Sequence, residues 1–245
     1  MQGPKRIVRG QALKTVAILS RKGGTGKTTL AVHLASAAHG SGLVTVLADL
    51  DRQHSAVEWR RQRQDVHPVV EAVKPGAVFA RQQDAARAGV ELMIIDTGPS
   101  IEEEVEQAVR CADLCLVVAR PNFFDIRAVA ESAALAARFH KPVVFVLNQA
   151  PHRQASIEAP VLMEAVSALR KLGFPVAPIG LRTRVAYQRS VAGGSTAQDM
   201  EPNSSAASEI MALWAWVEAR LHEERPVRRT PTFIAADDRS AAATF

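Results

Sequence analysis

The sequence predicts an α/β fold with a mostly parallel, twisted sheet flanked by helices on both faces, and three observations lead there. Strand-length apolar runs recur along the chain, helix-length segments rich in Ala, Leu, Glu and Arg separate them, and a glycine-rich loop joins the first run to the first of those segments. Strands alternating with helices build right-handed βαβ units. In sheets of that kind ligands collect at the carboxyl ends of the strands.

Taken in order, the strand-like runs are Thr15 to Leu19, Val44 to Ala48, Leu92 to Ile95, Leu114 to Ala119, Val143 to Leu147 and Val176 to Ile179. The helical segments include Lys27 to His39, Glu102 to Arg110, Ile126 to Phe139, Ile157 to Leu172 and Asn203 to His222. Ser100 followed by Glu103 reads as a capping box, and Glu102, Glu103 and Glu104 crowd a first turn where negative charge suits the helix dipole. That acidic cluster therefore reads as a helix start and not as a metal site. In the last helix Ile210, Leu213, Trp214, Val217 and Leu221 form one stripe, the pattern of a helix packed on a sheet.

Composition narrows the class. A chain of 245 residues with 47% apolar side chains is long enough for one sizeable core, and 22% charged residues with a mean hydropathy of −0.01 exclude a wholly disordered chain. No apolar run approaches the ~20 residues that span a bilayer. Met1 to Gly10 lacks the apolar segment of a secretory signal, so the cytoplasm is the expected address. Residues 1–13, which are basic, and 223–245, which contain Pro226 and Pro231, read as flexible extensions around one domain at 14–222. Cys111 and Cys115 have a spacing that fits neither a redox C-x-x-C nor a zinc ribbon, and read as small buried residues where a helix hands over to a strand. The net charge of +5 and a pI near 9.6 allow an anionic partner without identifying it.

The chemistry concentrates at Lys22-Gly23-Gly24-Thr25-Gly26-Lys27-Thr28-Thr29, directly after a strand and before a helix. Glycines let the backbone curl so that successive N–H groups face one anionic centre, and the helix amino terminus adds positive potential. Lys27 then neutralises β/γ-phosphate charge and the Thr28 hydroxyl ligates Mg²⁺. The first Gly of the general G-x-x-x-x-G-K-[ST] pattern is replaced by Arg21, and a second lysine, Lys22, follows it. Asp96 ends the apolar run Leu92 to Ile95, where a Walker-B-type aspartate holds Mg²⁺ through its water shell. Asp49 and Asp51 end the run Val44 to Ala48 at the same edge, so the three aspartates read together as metal and water handling, with Asp49 a possible further metal ligand.

From about Lys14 to Glu218 these residues resemble the ParA/MinD group of deviant-Walker-A ATPases, and within it the short ParF-like ParA partition proteins. The resemblance rests on Lys22 to Thr29, Asp49-Leu50-Asp51-Arg52-Gln53 with Ser55 and Trp59, Ile95-Asp96-Thr97-Gly98-Pro99, Ala112-Asp113-Leu114, Pro121 to Asp125, Phe145-Val146-Leu147-Asn148 and Arg184-Val185-Ala186-Tyr187. It implies ATP and Mg²⁺ as ligands and a homodimer formed on ATP, in which Lys22 crosses to the partner's phosphates. Asp51 would position the attacking water, with Asp49 in the same switch segment, Asp96 would hold Mg²⁺ and Asn148 would contact adenine. It further implies binding to nonspecific DNA on the nucleoid through late basic residues, here Arg170, Lys171, Arg182, Arg184 and Arg189, and release when an adaptor resembling ParB, or a cargo-linked protein, stimulates hydrolysis. Arg52 and Gly98 stand where the group usually has proline, which bears on switch mobility and hydrolysis rate.

The expected function is an ATP-dependent positioning ATPase that segregates plasmid or chromosomal DNA. The same cycle moving a protein assembly is the alternative, and the sequence does not separate the two. A MinD-like membrane-surface ATPase needs a basic amphipathic carboxyl-terminal helix, whereas the last helix here carries Glu218, Glu223 and Glu224 at its end, so no membrane partner is expected. An iron–sulfur enzyme on the same scaffold needs thiolates shared between two subunits around one cluster, which Cys111 and Cys115 are poorly placed to supply.

Overall fold

The computed structural model describes residues 12–99, 102–153 and 157–223. Six parallel strands form one sheet: β1 (Lys14–Leu19), β2 (Thr45–Asp49), β3 (Val69–Ala72), β4 (Leu92–Asp96), β5 (Leu114–Ala119) and β6 (Val143–Leu147), in the order β3-β2-β4-β1-β5-β6. The central strands β1, β2, β4 and β5 are buried almost throughout, which explains why they read as unbroken apolar runs without polar alternation.

Nine α-helices lie among the described residues: α1 (Lys27–Gly40), α2 (Ser55–Gln62), α3 (Val78–Arg87), α4 (Glu102–Cys111), α5 (Phe123–Arg138), α6 (Pro160–Lys171), α7 (Val185–Ala192), α8 (Ala197–Met200) and α9 (Ser205–His222). Alternate side chains of each strand feed two cores. Val16 and Ile18 of β1 pack with residues of α1, α2, α7 and α9, whereas Ala17 and Leu19 pack with α3, α4, α5 and α6. The α9 stripe Ile210, Leu213, Trp214, Val217 and Leu221 is buried as expected, in the core that α9 shares with α1 and the sheet.

One expected strand is corrected. Val176 to Ile179 makes only a single parallel bridge, Val176 to Phe145: Pro175 has no N–H with which to extend the pairing, and beyond Ala177 the next donor to β6 is Leu181, which reaches the Leu147 carbonyl. The sixth strand is instead β3, a short, half-exposed edge strand. Helix α5 starts three residues before the expected Ile126, where the Asn122 side chain accepts the Asp125 N–H, and α6 starts at Pro160 instead of Ile157. Helix α4 begins at Glu102 as the acidic turn implied, though Ser100 of the expected capping box lies outside the described residues. Except for Ala12, Leu13 and Glu223, the two expected extensions also fall outside them.

Candidate nucleotide site

The loop from Ser20 to Gly26 leaves β1 at its carboxyl end and enters α1 at Lys27. Gly24 and Gly26 have φ of 72° and 86°, in the left-handed region that glycine adopts without strain. Gly26 is required on a second count, since a Cβ there would stand 2.2 Å from Asn148 Nδ2. No side chain caps α1 and its first turn carries no acidic residue. Its amino-terminal N–H groups thus keep their positive end for an outside anion.

The loop is braced by the chain leaving β6. Asn148 Nδ2 donates to the Thr25 carbonyl at 2.7 Å and Gln149 Nε2 donates to the Gly24 carbonyl at 2.9 Å. Asn148 is 5% exposed and holds the loop from beneath. Lys27 is buried beside Asp96 and Asp51; burial pushes its pKa down while the two carboxylates push it back up.

Register brings Ile18, Asp49 and Asp96 to one level, so the ends of β1, β2 and β4 meet under the loop. Asp96 is fully buried, and burial raises its pKa to about 7. The adjacent Thr28 hydroxyl favours the charged form, but it falls short of hydrogen-bond geometry, and among the described residues both Asp96 oxygens are left without a partner. A buried carboxylate with no donor is costly unless something else meets it. A divalent cation between Thr28 and Asp96 fits that requirement. Asp49 does not: its Oδ1 accepts the Asp51 N–H at 3.0 Å, and its Oδ2 accepts the Ala56 and Val57 N–H groups at 3.0 and 3.1 Å. The aspartate expected as a further metal ligand thus spends its oxygens on capping α2. Asp51 is partly exposed at the same edge, and its Oδ1 accepts the Gln53 N–H.

The two lysines of the loop lie near different carboxylates, Lys27 within the electrostatic reach of Asp96 and Asp51 and Lys22 in an ion pair elsewhere. Lys22 Nζ contacts Asp125, in the first turn of α5, and Arg120 makes two hydrogen bonds to the same carboxylate at 2.6 and 3.2 Å. These two cations hold the Asp125 pKa down against the effect of burial. Asp125 and Arg120 acquire a role that only the fold reveals, since Lys22 lies about a hundred residues away in sequence.

Residues 16–204 match the model of the CobQ/CobB/MinD/ParA nucleotide binding domain. The chain belongs to this family. Among curated relatives it is 27% identical over 208 residues to the maintenance of carboxysome distribution protein A of Halothiobacillus neapolitanus, covering 80% of this chain and 92% of that protein. It is 28% identical over 189 residues to the protein of the same name from Gloeobacter kilaueensis, covering 74% and 82%. Among solved structures, apo McdA of Cyanothece superposes with a TM-score of 0.70 at 12% identity, covering 84% of this chain and 99% of that one. The Pyrococcus furiosus cell division ATPase MinD gives 0.68 at 17% identity, covering 84% and 99%. The likeness to the solved structures shows a shared α/β fold.

For a MinD/ParA-family chain, the five late basic residues are unequally disposed. Arg182 is held by the Pro151 carbonyl and by Glu158, whose pKa it draws down to about 2. Arg184 is held by Glu209, which also accepts the Tyr187 hydroxyl. Arg170 and Lys171 are exposed at the end of α6, and Arg189 is exposed on α7, across the sheet from them. The five do not form one patch, because two are spent on ion pairs and three lie on opposite layers. Cys111 and Cys115 are both buried and free, and burial pushes the Cys115 thiol up to about 12, which makes it inert.

Proposed function

We propose that this chain is an ATP-dependent positioning ATPase. Two copies associate when each holds ATP and Mg²⁺, each lends Lys22 to the other's triphosphate, the dimer binds DNA without sequence preference, and hydrolysis stimulated by a partner protein parts it. The observation that carries this reading is the division of labour between the loop lysines: Lys27 lies with Asp96 and Asp51, while Lys22 lies outside that group on Asp125. A lysine that exchanges Asp125 for a neighbour's phosphate makes nucleotide binding and dimerisation thermodynamically linked.

Within the site, the loop N–H groups and Lys27 meet the phosphate charge and Asp51 orients the attacking water. Thr28 and Asp96 would hold Mg²⁺, which when bound neutralises charge between the β- and γ-phosphates. Asn148 keeps the loop in shape and borders the place expected for adenine. For DNA, the exposed Arg170, Lys171 and Arg189 of both copies supply the phosphate contacts, while Arg182 and Arg184 act through the fold that displays them. Nucleoid association in the cytoplasm follows from such contacts. No described helix is long and apolar enough to cross a membrane, and α9 carries Glu218 near its end with Glu223 directly after it.

The sequence leaves DNA and a protein assembly open as cargo. Relatives named for carboxysome distribution, matched over most of their length, favour the protein assembly, with an adaptor or cargo-linked protein as the stimulating partner. Sedimentation with a nonhydrolysable ATP analogue and Mg²⁺ is expected to show a dimer, and Lys22→Ala is expected to weaken that dimer about tenfold or more, which is ~1.4 kcal/mol. A monomer under saturating analogue would refute the cycle. DNA retention is expected with ATP and not with ADP, and is expected to fall as salt rises; co-sedimentation with anionic liposomes would point instead to a membrane surface.

A further inference from the structure

Two positions where the switch segments depart from the usual family pattern, Arg52 and Gly98, converge on one side chain. Glu104, in the first turn of α4, is only 6% exposed, and its Oε1 accepts from Arg52 Nε at 3.3 Å. Arg52 is its only hydrogen-bonding or ionic partner among the described residues. Glu104 Oε2 lies 3.5 Å from where a Cβ on Gly98 would sit, and the Asp51 carboxylate lies 3.6 Å from the same point. Two carboxylates thus flank one glycine at the edge that carries the nucleotide site.

The usual prolines would stiffen both segments by fixing φ and narrowing the unfolded ensemble. Arg and Gly at these positions remove that stiffness. A nearly buried carboxylate, in contrast, strongly favours keeping the cation beside it, because loss of the cation leaves a desolvated charge alone. Arg52 itself has a side chain 78% exposed, so what the pair fixes is the loop that Arg52 sits on.

We propose that Arg52 and Glu104 are positioning residues for ATP hydrolysis: their ion pair ties the loop after β2 to the start of α4 and so holds the Asp51 carboxylate beside Gly98. The inference rests on the hydrolysis reading above. In the step served, the water oxygen bonds to the γ-phosphorus, the bond from that phosphorus to the β–γ bridging oxygen breaks, ADP leaves with that electron pair, and the water proton passes to solvent.

Steady-state phosphate release and binding of a fluorescent ATP analogue test this on the full chain. Arg52→Ala and Glu104→Gln are each expected to lower kcat at least fivefold while analogue affinity and ATP-dependent dimerisation stay within twofold, and the double variant is expected to be no slower than either single one. Additive losses in the double variant, or single variants within twofold of the parent kcat, would overturn the proposal. If the parent shows no turnover above a Lys27→Ala control, the hydrolysis reading fails by itself. The tie is then read by limited trypsin cleavage after Arg52, which Glu104→Gln should accelerate several-fold; unchanged cleavage would overturn the tie.

Discussion

Burial raises the Asp96 pKa from 3.8 to about 7, with Asp49 and Asp51 adding to the rise and Thr28 and Lys27 opposing it. A carboxyl whose folded pKa lies above its unfolded value stabilises the fold fully below about pH 4 and loses that contribution as pH rises to about 7. Without nucleotide and Mg²⁺, Asp96→Asn is therefore expected to stabilise the protein, by about 1–3 kcal/mol at pH 8 and by less at pH 5, as measured by urea unfolding at the two pH values. The same variant should lose the Mg²⁺ dependence of nucleotide binding, whereas in the parent Mg²⁺ affinity should rise as pH passes through about 7. The place of Asp96 at the end of a buried strand was legible in the sequence, because a carboxylate that closes an apolar run stands at the sheet edge, which is the edge proposed here for Mg²⁺. The capping role of Asp49 was not legible, since the N–H groups it meets belong to a helix whose entry geometry only the folded loop defines.

At the scale of elements, the phosphate loop depends on a strand that enters the chain more than a hundred residues later. Asn148→Ala removes the donor to the Thr25 carbonyl, and is expected to lower stability by about 1–2 kcal/mol and to weaken nucleotide affinity several-fold in a titration with a fluorescent analogue. Asp49→Ala removes an acceptor from three backbone N–H groups around α2. It should lower the melting transition by the equivalent of about 1–3 kcal/mol while leaving the Mg²⁺ dependence of nucleotide binding intact, which separates a capping aspartate from a metal ligand. The loop itself was readable because its glycines, lysines and threonines are consecutive. Its braces, Asn148 and Gln149, follow β6 instead: the resemblance pointed to Asn148 as an adenine contact, but its bond to the loop, and the part played by Gln149, emerge only from the fold.

Across the whole molecule, α2 and the α7–α8 connection are fastened together. Trp59 Nε1 donates to the Ser195 carbonyl at 2.9 Å, and Arg63 pairs with Asp199 at 2.5 Å while stacking over the Trp59 ring. Gly194, at φ 68°, lets the chain pass α2 so closely that a Cβ would lie 2.4 Å from the Gln62 carbonyl carbon. Gly194→Ala combines a left-handed conformation with a backbone collision, and is expected to cost about 2 kcal/mol or more in thermal or urea unfolding. Because α2 follows directly on the Asp51 segment, this fastening joins the nucleotide edge to the layer that displays Arg189. A second link runs through His33 of α1, which is buried and neutral, its pKa lowered to about 4 by burial; one ring nitrogen bonds the Thr29 carbonyl at 2.7 Å and the other accepts the Ala197 N–H at 3.1 Å.

By itself the sequence determined the parallel α/β class, five of the six strands and the phosphate loop, because each is written in neighbouring residues through apolar runs, glycine placement and consecutive side chains. Tertiary structure decided which carboxylate is left for a cation, which lysine rests on Asp125, which arginines are spent on ion pairs and which extended segment becomes the edge strand. Those outcomes depend on competition among groups distant in sequence for the same buried partner. Burial settles such competition, and burial is a property of the assembled core.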